Sequence, residues 1–382
     1  MPSESLTRDQ TVYRRLILKI LAGFTATALL ALGALALVIN HNAPCGPVPP
    51  MAAGSAGFTA IMQHCYGDAD VLTLETVARP ELADNQVLVR VHAASVNPLD
   101  KHFLHGTPYL LRLVNGFNAP KSPSAGADFA GVVEAVGTAV TLFEPGDEVF
   151  GVANGAFAEY LVRSETGSIA LKPANLSFEQ AAAMPVAAIT ALQALRDKAR
   201  VEPGQQVLIN GASGGVGSYA VQLAKAMGAT VTAVCSGRNA ELVRGLGADQ
   251  VIDYTQQDFT KDDKRYDAIV DIVGNHSLSA LLDVTEPDGV LVMVGNMQIN
   301  PWWGPLVGPL QAALRSPFAS QRLESILARA NADDLAALAS YAEAGQLTSA
   351  IDQRFTLQQV PDAIRYVEQG RTRGKVVINV VP

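Results

Sequence analysis

Seven consecutive residues give this chain the means to hold a phosphate-bearing ligand. In Gly211-Ala212-Ser213-Gly214-Gly215-Val216-Gly217, four of seven positions are glycine. Before them, Gln206-Val207-Leu208-Ile209-Asn210 reads as a short buried strand. After them, Val216, Ala220, Leu223 and Ala224 recur at helical spacing, and Gly228 is placed to stop that helix. Glycines allow a tight turn and let the backbone approach a pyrophosphate, while the helix behind presents free N–H groups and its positive dipole end. Ser213, Gly214, Gly215, Val216 and Gly217 are therefore the expected pyrophosphate cradle. The bland alternative is a tight strand-to-helix turn with no ligand.

The next apolar run, Thr230 to Val234, leads into Cys235-Ser236-Gly237-Arg238-Asn239. About 20 residues beyond such glycines, NAD-binding chains place an Asp or Glu on the ribose 2′-hydroxyl. Here that carboxylate is absent and a guanidinium stands nearby, so NADP(H) is the expected cofactor. An exposed helix start is the competing role for Arg238.

The elements around this turn form two patterns. Residues 58–184 contain short alternating runs broken by glycine and proline, which suggests a partly open β-barrel. From residue 185, helices and strands alternate: helix 187–195, strand 206–210, helix 216–227, strand 230–234, helix 240–246, then strands 251–253, 268–273 and 289–294. That alternation predicts an α/β doubly wound parallel sheet. Residues 323–330 and 333–345 read as amphipathic helices and 374–380 as a final strand. These patterns divide the chain into 1–43 as anchor or signal, 44–57 as linker, 58–184, 185–316 and 317–382.

With 382 residues the chain can build two cores. Its net charge of −8 and 17% charged residues leave no basic stripe, which argues against nucleic acid as a partner. Residues 16–40, LILKILAGFTATALLALGALALVIN, carry Lys19 as their one charge and are long enough to cross a bilayer as a helix. Arg8, Arg14, Arg15 and Lys19 precede the apolar centre, and no Lys or Arg follows until Arg79. The positive-inside rule then places the amino terminus in the cytoplasm and the globular body outside it. Tyr13-Arg14-Arg15-Leu16-Ile17-Leu18-Lys19 also resembles a twin-arginine export signal, so a single-pass anchor and an exported, periplasmic protein both stand. Cys45, Cys65 and Cys235 are too few for a disulfide scaffold. We read Cys45 and Cys65 as free thiols, with a bridge between them open to a chain outside the cytoplasm.

Residues from about 57 to 380 resemble the zinc-independent, quinone-oxidoreductase-like branch of the medium-chain dehydrogenase/reductases. The matching stretches are Ser95-Val96-Asn97-Pro98-Leu99-Asp100, Gly126-Ala127-Asp128-Phe129-Ala130-Gly131, Phe157-Ala158-Glu159-Tyr160, Ala183-Met184-Pro185, the 211–217 turn, Val251-Ile252-Asp253-Tyr254, and Gly374-Lys375-Val376-Val377. The resemblance implies that 58–184 and 317–382 form one substrate domain, a GroES-like barrel, interrupted by a Rossmann domain at 185–316, with the active-site cleft between them. It implies that Thr190 lies near the nicotinamide and that Ser236, Arg238 and Tyr254 surround the 2′-phosphate. Val273, Gly274 and Gly295 end strands on the cofactor side, and Lys375 either adds charge there or is an idle surface lysine. No metal is expected, since Asn97-Pro98 and Asp128 stand where zinc-dependent relatives carry ligands; Asp100-x-His102-x-x-His105 is the one spacing that suggests a metal.

Without a metal, the acceptor must spread negative charge itself, as quinones and α,β-unsaturated carbonyls do. Asn97 is the candidate donor, against a structural turn role. Asp100 is weighed against a helix N-cap, and Tyr109 as a proton donor against aromatic packing. The expected function is NADPH-dependent reduction of a quinone or enone. A dehydrogenase of a simple alcohol and a non-catalytic nucleotide-binding redox sensor are the alternatives. The apolar loop at Trp302-Trp303 suits the pocket or a homodimer contact.

Overall fold

The computed structural model describes residues 57–295 and 319–380, with 41–46 and the single positions Thr27, Gly33, Leu35, Val38, Trp302, Gly304 and Ala312. Most of residues 16–40 lies outside these. Among the described residues no helix is long and apolar enough to cross a membrane.

β1 (Gly57–Gln63) and β2 (Leu72–Ala78) form an antiparallel pair. β3 (Gln86–Val96) is the long central strand of the first domain, followed by helix α1 (Pro98–His105). β4 (Asp128–Val136), β5 (Glu148–Val152), β6 (Tyr160–Ser164) and β7 (Ile169–Leu171) complete its first part. β3 buries Val87, Val89, Val91, Ala94 and Val96 in one cluster with Phe129, Val149, Phe157 and Leu161, which is the barrel core.

After α2 (Pro185–Leu192) the chain enters a parallel sheet: β8 (Gln206–Asn210), α3 (Gly215–Ala226), β9 (Thr230–Cys235), β10 (Gln250–Asp253), β11 (Tyr266–Asp271), β12 (Thr285–Met293) and β13 (Arg322–Ser325). Its order is β10-β9-β8-β11-β12-β13. Val207, Leu208 and Ile209 are fully buried, as continuous apolar runs in parallel sheets are. The order reverses between β8 and β11, and there ligands bind at the carboxyl ends of such strands.

α4 (Ala332–Glu343) packs Leu335, Leu338 and Ala342 into the core that holds α2 and α3. Then β14 (Ile351–Thr356), α5 (Val360–Glu368) and β15 (Lys375–Asn379) return to the first domain, where the seven-stranded sheet runs β14-β15-β3-β4-β5-β7 with β6 beside β3.

Three expectations need correction. Residues 323–330 are not a helix: Arg322–Ser325 pairs in parallel with β12, Leu323 opposite Leu291, because the open sheet edge supplies backbone partners that local periodicity ignores. The return to the barrel therefore falls between α4 and β14 rather than at residue 317. Cys45 and Cys65 are joined as a disulfide rather than free; they stand 20 residues apart in sequence. In addition, the helix expected over 187–195 passes into a π-helical turn at Gln193–Ala199.

Candidate active site

The nucleotide turn follows directly from β8. Gly211 adopts φ +89°, a conformation that side chains resist, and the chain turns into α3 with Gly214 at its N-cap. No side chain caps this helix, which leaves its first N–H groups to other partners, and its first residues Gly215 and Val216 line the cavity. A Cβ on Gly217 would overlap the Gly211 carbonyl oxygen, so this glycine serves close packing of helix on strand and does not line the cavity. Gly295 is alike: a Cβ there would overlap the Ile272 carbonyl. Gly274 (φ +69°) donates its N–H to Asp271 Oδ1 at 3.0 Å, and Val273 lines the cavity.

A cavity of about 750 Å³ runs between the domains, with Ser213, Gly214, Gly215, Val216, Ser236, Arg238 and Tyr254 in its wall. Opposite them stand Asn97, Pro98, Gly374 and Lys375. Ser213 ties the walls together: its carbonyl accepts from Gly374 N–H at 2.8 Å and its hydroxyl from Asn239 Nδ2 at 2.9 Å. Sequence reasoning missed Asn239 and Arg371. Asn239 Oδ1 is buried with no partner, and Arg371, also in the wall, accepts from Arg238 through its carbonyl at 3.4 Å. The uncapped helix, the orphaned Asn239 acceptor and the paired arginines fit a dinucleotide's pyrophosphate, ribose and phosphate. Cys235 lines this cavity too, but burial pushes its thiol up to about 11, so it stays protonated.

At the other end lies a buried polar network. Asp128 Oδ2 accepts from Ser95 Oγ at 3.0 Å, Asn97 Nδ2 at 2.9 Å and Lys375 Nζ at 3.4 Å, while Oδ1 accepts from Val186 N–H at 3.0 Å, at the start of α2. Lys375 Nζ also donates to Asn97 Oδ1 at 2.6 Å. Lys375 is 3% exposed, so the surface reading of this residue is wrong. Burial lowers the Lys375 pKa and raises that of Asp128, while their mutual attraction acts against both shifts. Asn97's amide is thus committed to Asp128 and Lys375, which makes it a positioning group. Thr190 bonds the Val186 carbonyl at 2.7 Å within α2 and does not line the interdomain cavity.

Asp100 occupies the first turn of α1. Its Oδ2 accepts Asn97 N–H at 2.7 Å, as an N-terminal capping residue does. Its Oδ1 is buried without a partner, and burial raises its pKa to about 7. Asp100 also borders a second cavity of about 430 Å³ with Leu99, Phe103, Leu104, Val114 and Phe157. Neighbouring residues of the first turn of α1 line the two cavities, Pro98 the first and Leu99 and Asp100 the second. Tyr109 lines neither; its ring packs edge-on to Trp302 at 4.8 Å and under the Arg112 guanidinium at 4.9 Å. The pocket or homodimer contact expected at Trp302–Trp303 falls mostly outside the described residues. His102 bonds the Thr107 carbonyl and His105 bonds Glu368, so the two histidines do not converge.

Comparison with known proteins decides the family. The amino-terminal part matches the alcohol dehydrogenase GroES-like domain over residues 83–173, and the later part matches a family described as zinc-binding dehydrogenase over 246–378. A 2-methylene-furan-3-one reductase of Solanum lycopersicum is 36% identical over 335 residues, covering 83% of this chain and 78% of that protein. The chain belongs to the medium-chain dehydrogenase/reductases, in their quinone oxidoreductase-like branch. A chloroplastic NADPH-dependent alkenal/one oxidoreductase of Arabidopsis thaliana is 33% identical with the same coverage. The quinone oxidoreductase structure from Coxiella burnetii superposes with a TM-score of 0.75 at 33% identity, covering 85% of this chain and all of that one. This member of the family is an oxidoreductase that uses a nicotinamide nucleotide. Its site does not fit the zinc in the second family's description: the Lys375 ammonium stands against Asn97 Oδ1 and Asp128, where a cation would have to sit.

Proposed function

We propose that this protein reduces a quinone or an α,β-unsaturated carbonyl with NADPH. When bound, the reduced nicotinamide supplies the hydride. The observation that carries the reading is the buried Lys375–Asn97–Asp128 network at the floor of the interdomain cavity. It offers a fixed positive charge, held by two partners, where a developing enolate or phenolate oxygen needs one. Asp100, bridged to Asn97 through the backbone N–H, holds a proton near neutral pH beside the second cavity. A conjugated acceptor tolerates hydride with these two groups and no Lewis acid. The relatives' names, an enone reductase and an alkenal/one oxidoreductase, support this class.

NADPH over NADH rests on Ser236, Arg238 and Tyr254 sharing one end of the cavity with Arg371 and no cavity-lining carboxylate. We place the globular body outside the cytoplasm, held by residues 16–40 as an anchor or delivered by a twin-arginine signal. The disulfide Cys45–Cys65 supports an oxidising compartment, and the described positions Thr27, Gly33, Leu35 and Val38 are helical and exposed. The decisive experiment is anaerobic stopped-flow oxidation of bound NADPH by a panel of quinones, enones and aldehydes. Oxidation by the conjugated acceptors alone is expected; tight binding with no oxidation by any of them would overturn the assignment.

A further inference from the structure

We propose that the surface formed by residues 103–117 rests on a lipid bilayer, with the mouth of the 430 Å³ cavity turned toward the lipid. This rests on the reading that residues 16–40 enter a membrane. It adds what that reading does not supply: which face of the enzyme meets the bilayer.

Four large apolar side chains stand exposed in this short stretch: Phe103 by 40%, Leu113 by 48%, Val114 by 71% and Phe117 by 46%. Such a cluster marks an interaction site, where single exposed apolar residues do not. Phe103 and Val114 also line the cavity, so two of the four exposed side chains belong to its wall. Residues 103–117 contain no Asp or Glu to oppose an anionic lipid surface.

The chain itself fixes the orientation. Arg112, 1% exposed, donates to Asn42 Oδ1 at 2.8 Å, and Ala43 donates its N–H to the Asn118 carbonyl at 2.9 Å. Cys45 is bridged to Cys65, next to Tyr66, whose hydroxyl bonds the Gly116 carbonyl at 2.8 Å. Three ties therefore pin residues 42–45 against this loop. Asn42 follows residue 40, the end of the apolar run, by two positions, about 7 Å of extended chain. A bilayer's headgroup layer is only about 5–7 Å thick on each side. A segment ending in the hydrocarbon thus leaves no slack to lift residues 103–117 clear of the lipid. A lipid-soluble acceptor would then enter the cavity without crossing water.

The test adds a tryptophan to the full chain by Leu113→Trp and, as control, Leu142→Trp, which is 61% exposed elsewhere on the barrel. Each is reconstituted in phosphatidylcholine–phosphatidylglycerol vesicles with bromine on the phosphatidylcholine acyl chains. Emission is read as the increment over the parent's two tryptophans. We expect blue-shifted, strongly quenched emission from position 113 and neither from 142. If the protein floats with the vesicles but 113 behaves like 142, the docking surface is overturned and the anchor stands. If it does not float, both fall. A shift at 113 that follows protein concentration without bromine quenching assigns the patch to a second copy and overturns the proposal. As a second arm, Leu113→Glu combined with Phe117→Glu should raise KM several-fold for a long-tailed acceptor presented in vesicles. KM for a short water-soluble enone should not change. Equal KM changes for both acceptors would also overturn it.

Discussion

The Lys375 ammonium lies 2.6 Å from Asn97 Oδ1 although 278 residues separate them in sequence. That contact joins the last strand of the chain to the start of α1, and through Asp128 to the start of α2.

Lys375→Met should destabilise the fold by about 3–5 kcal/mol, because it strands the Asp128 carboxylate without its cation. Hydride transfer should also fall by about 10²-fold. Denaturant unfolding and single-turnover kinetics read the two effects. Pairing Lys375→Met with Asp128→Leu should recover part of the stability and none of the rate. A fully additive loss would show that the two groups do not act together.

Asp100 carries a pH signature. Its folded pKa, about 7, lies above the unfolded value of 3.8, so the folded state holds a proton that the unfolded state has released. Its contribution to stability is complete below about pH 4 and declines as pH rises toward 7. Asp100→Asn should remove this slope, seen as the difference between wild-type and variant stability across pH 4–7. An unchanged slope would mean that Asp100 ionises normally in the fold.

Arg238→Ala should weaken NADPH about tenfold or more while NADH binding stays within about twofold, since charge-assisted bonds to phosphate contribute about 1.5–3 kcal/mol. Fluorescence titration with each nucleotide checks this. Equal losses would remove the 2′-phosphate assignment.

Two of the turn's four glycines, Gly217 and Gly214, should respond differently. A Cβ on Gly217 would meet backbone, so Gly217→Ala should cost about 1–3 kcal/mol of stability. At Gly214 the nearest atom to an added Cβ is 3.5 Å away, so Gly214→Ala should fold normally and lose affinity only for the nucleotide. Thermal unfolding with and without NADPH separates the two.

Reducing the Cys45–Cys65 bridge should lower stability by about 3 kcal/mol, given the 20-residue separation it closes. Unfolding in the presence and absence of dithiothreitol measures it. A Cys45→Ser variant should match the reduced protein and show no further response.

What the sequence determined by itself was local. A buried strand, four glycines and an amphipathic helix are consecutive, so the nucleotide turn follows from residues that read each other directly, as does the parallel sheet; Ser236 and Tyr254 became candidates only through the family resemblance. Residues whose environment is made by distant chain were illegible or misread. Leu323 belongs to a strand only because β12 offers a free edge. Cys45 and Cys65 meet only because residues 42–45 lie against Arg112 and Asn118 of the barrel domain. Lys375 reads equally as a charge beside the cofactor or an idle surface lysine until β15 is inserted between β14 and β3; that pairing buries its ammonium against Asn97 and Asp128. Burial and ion pairing depend on what stands across space, and tertiary structure alone decides that.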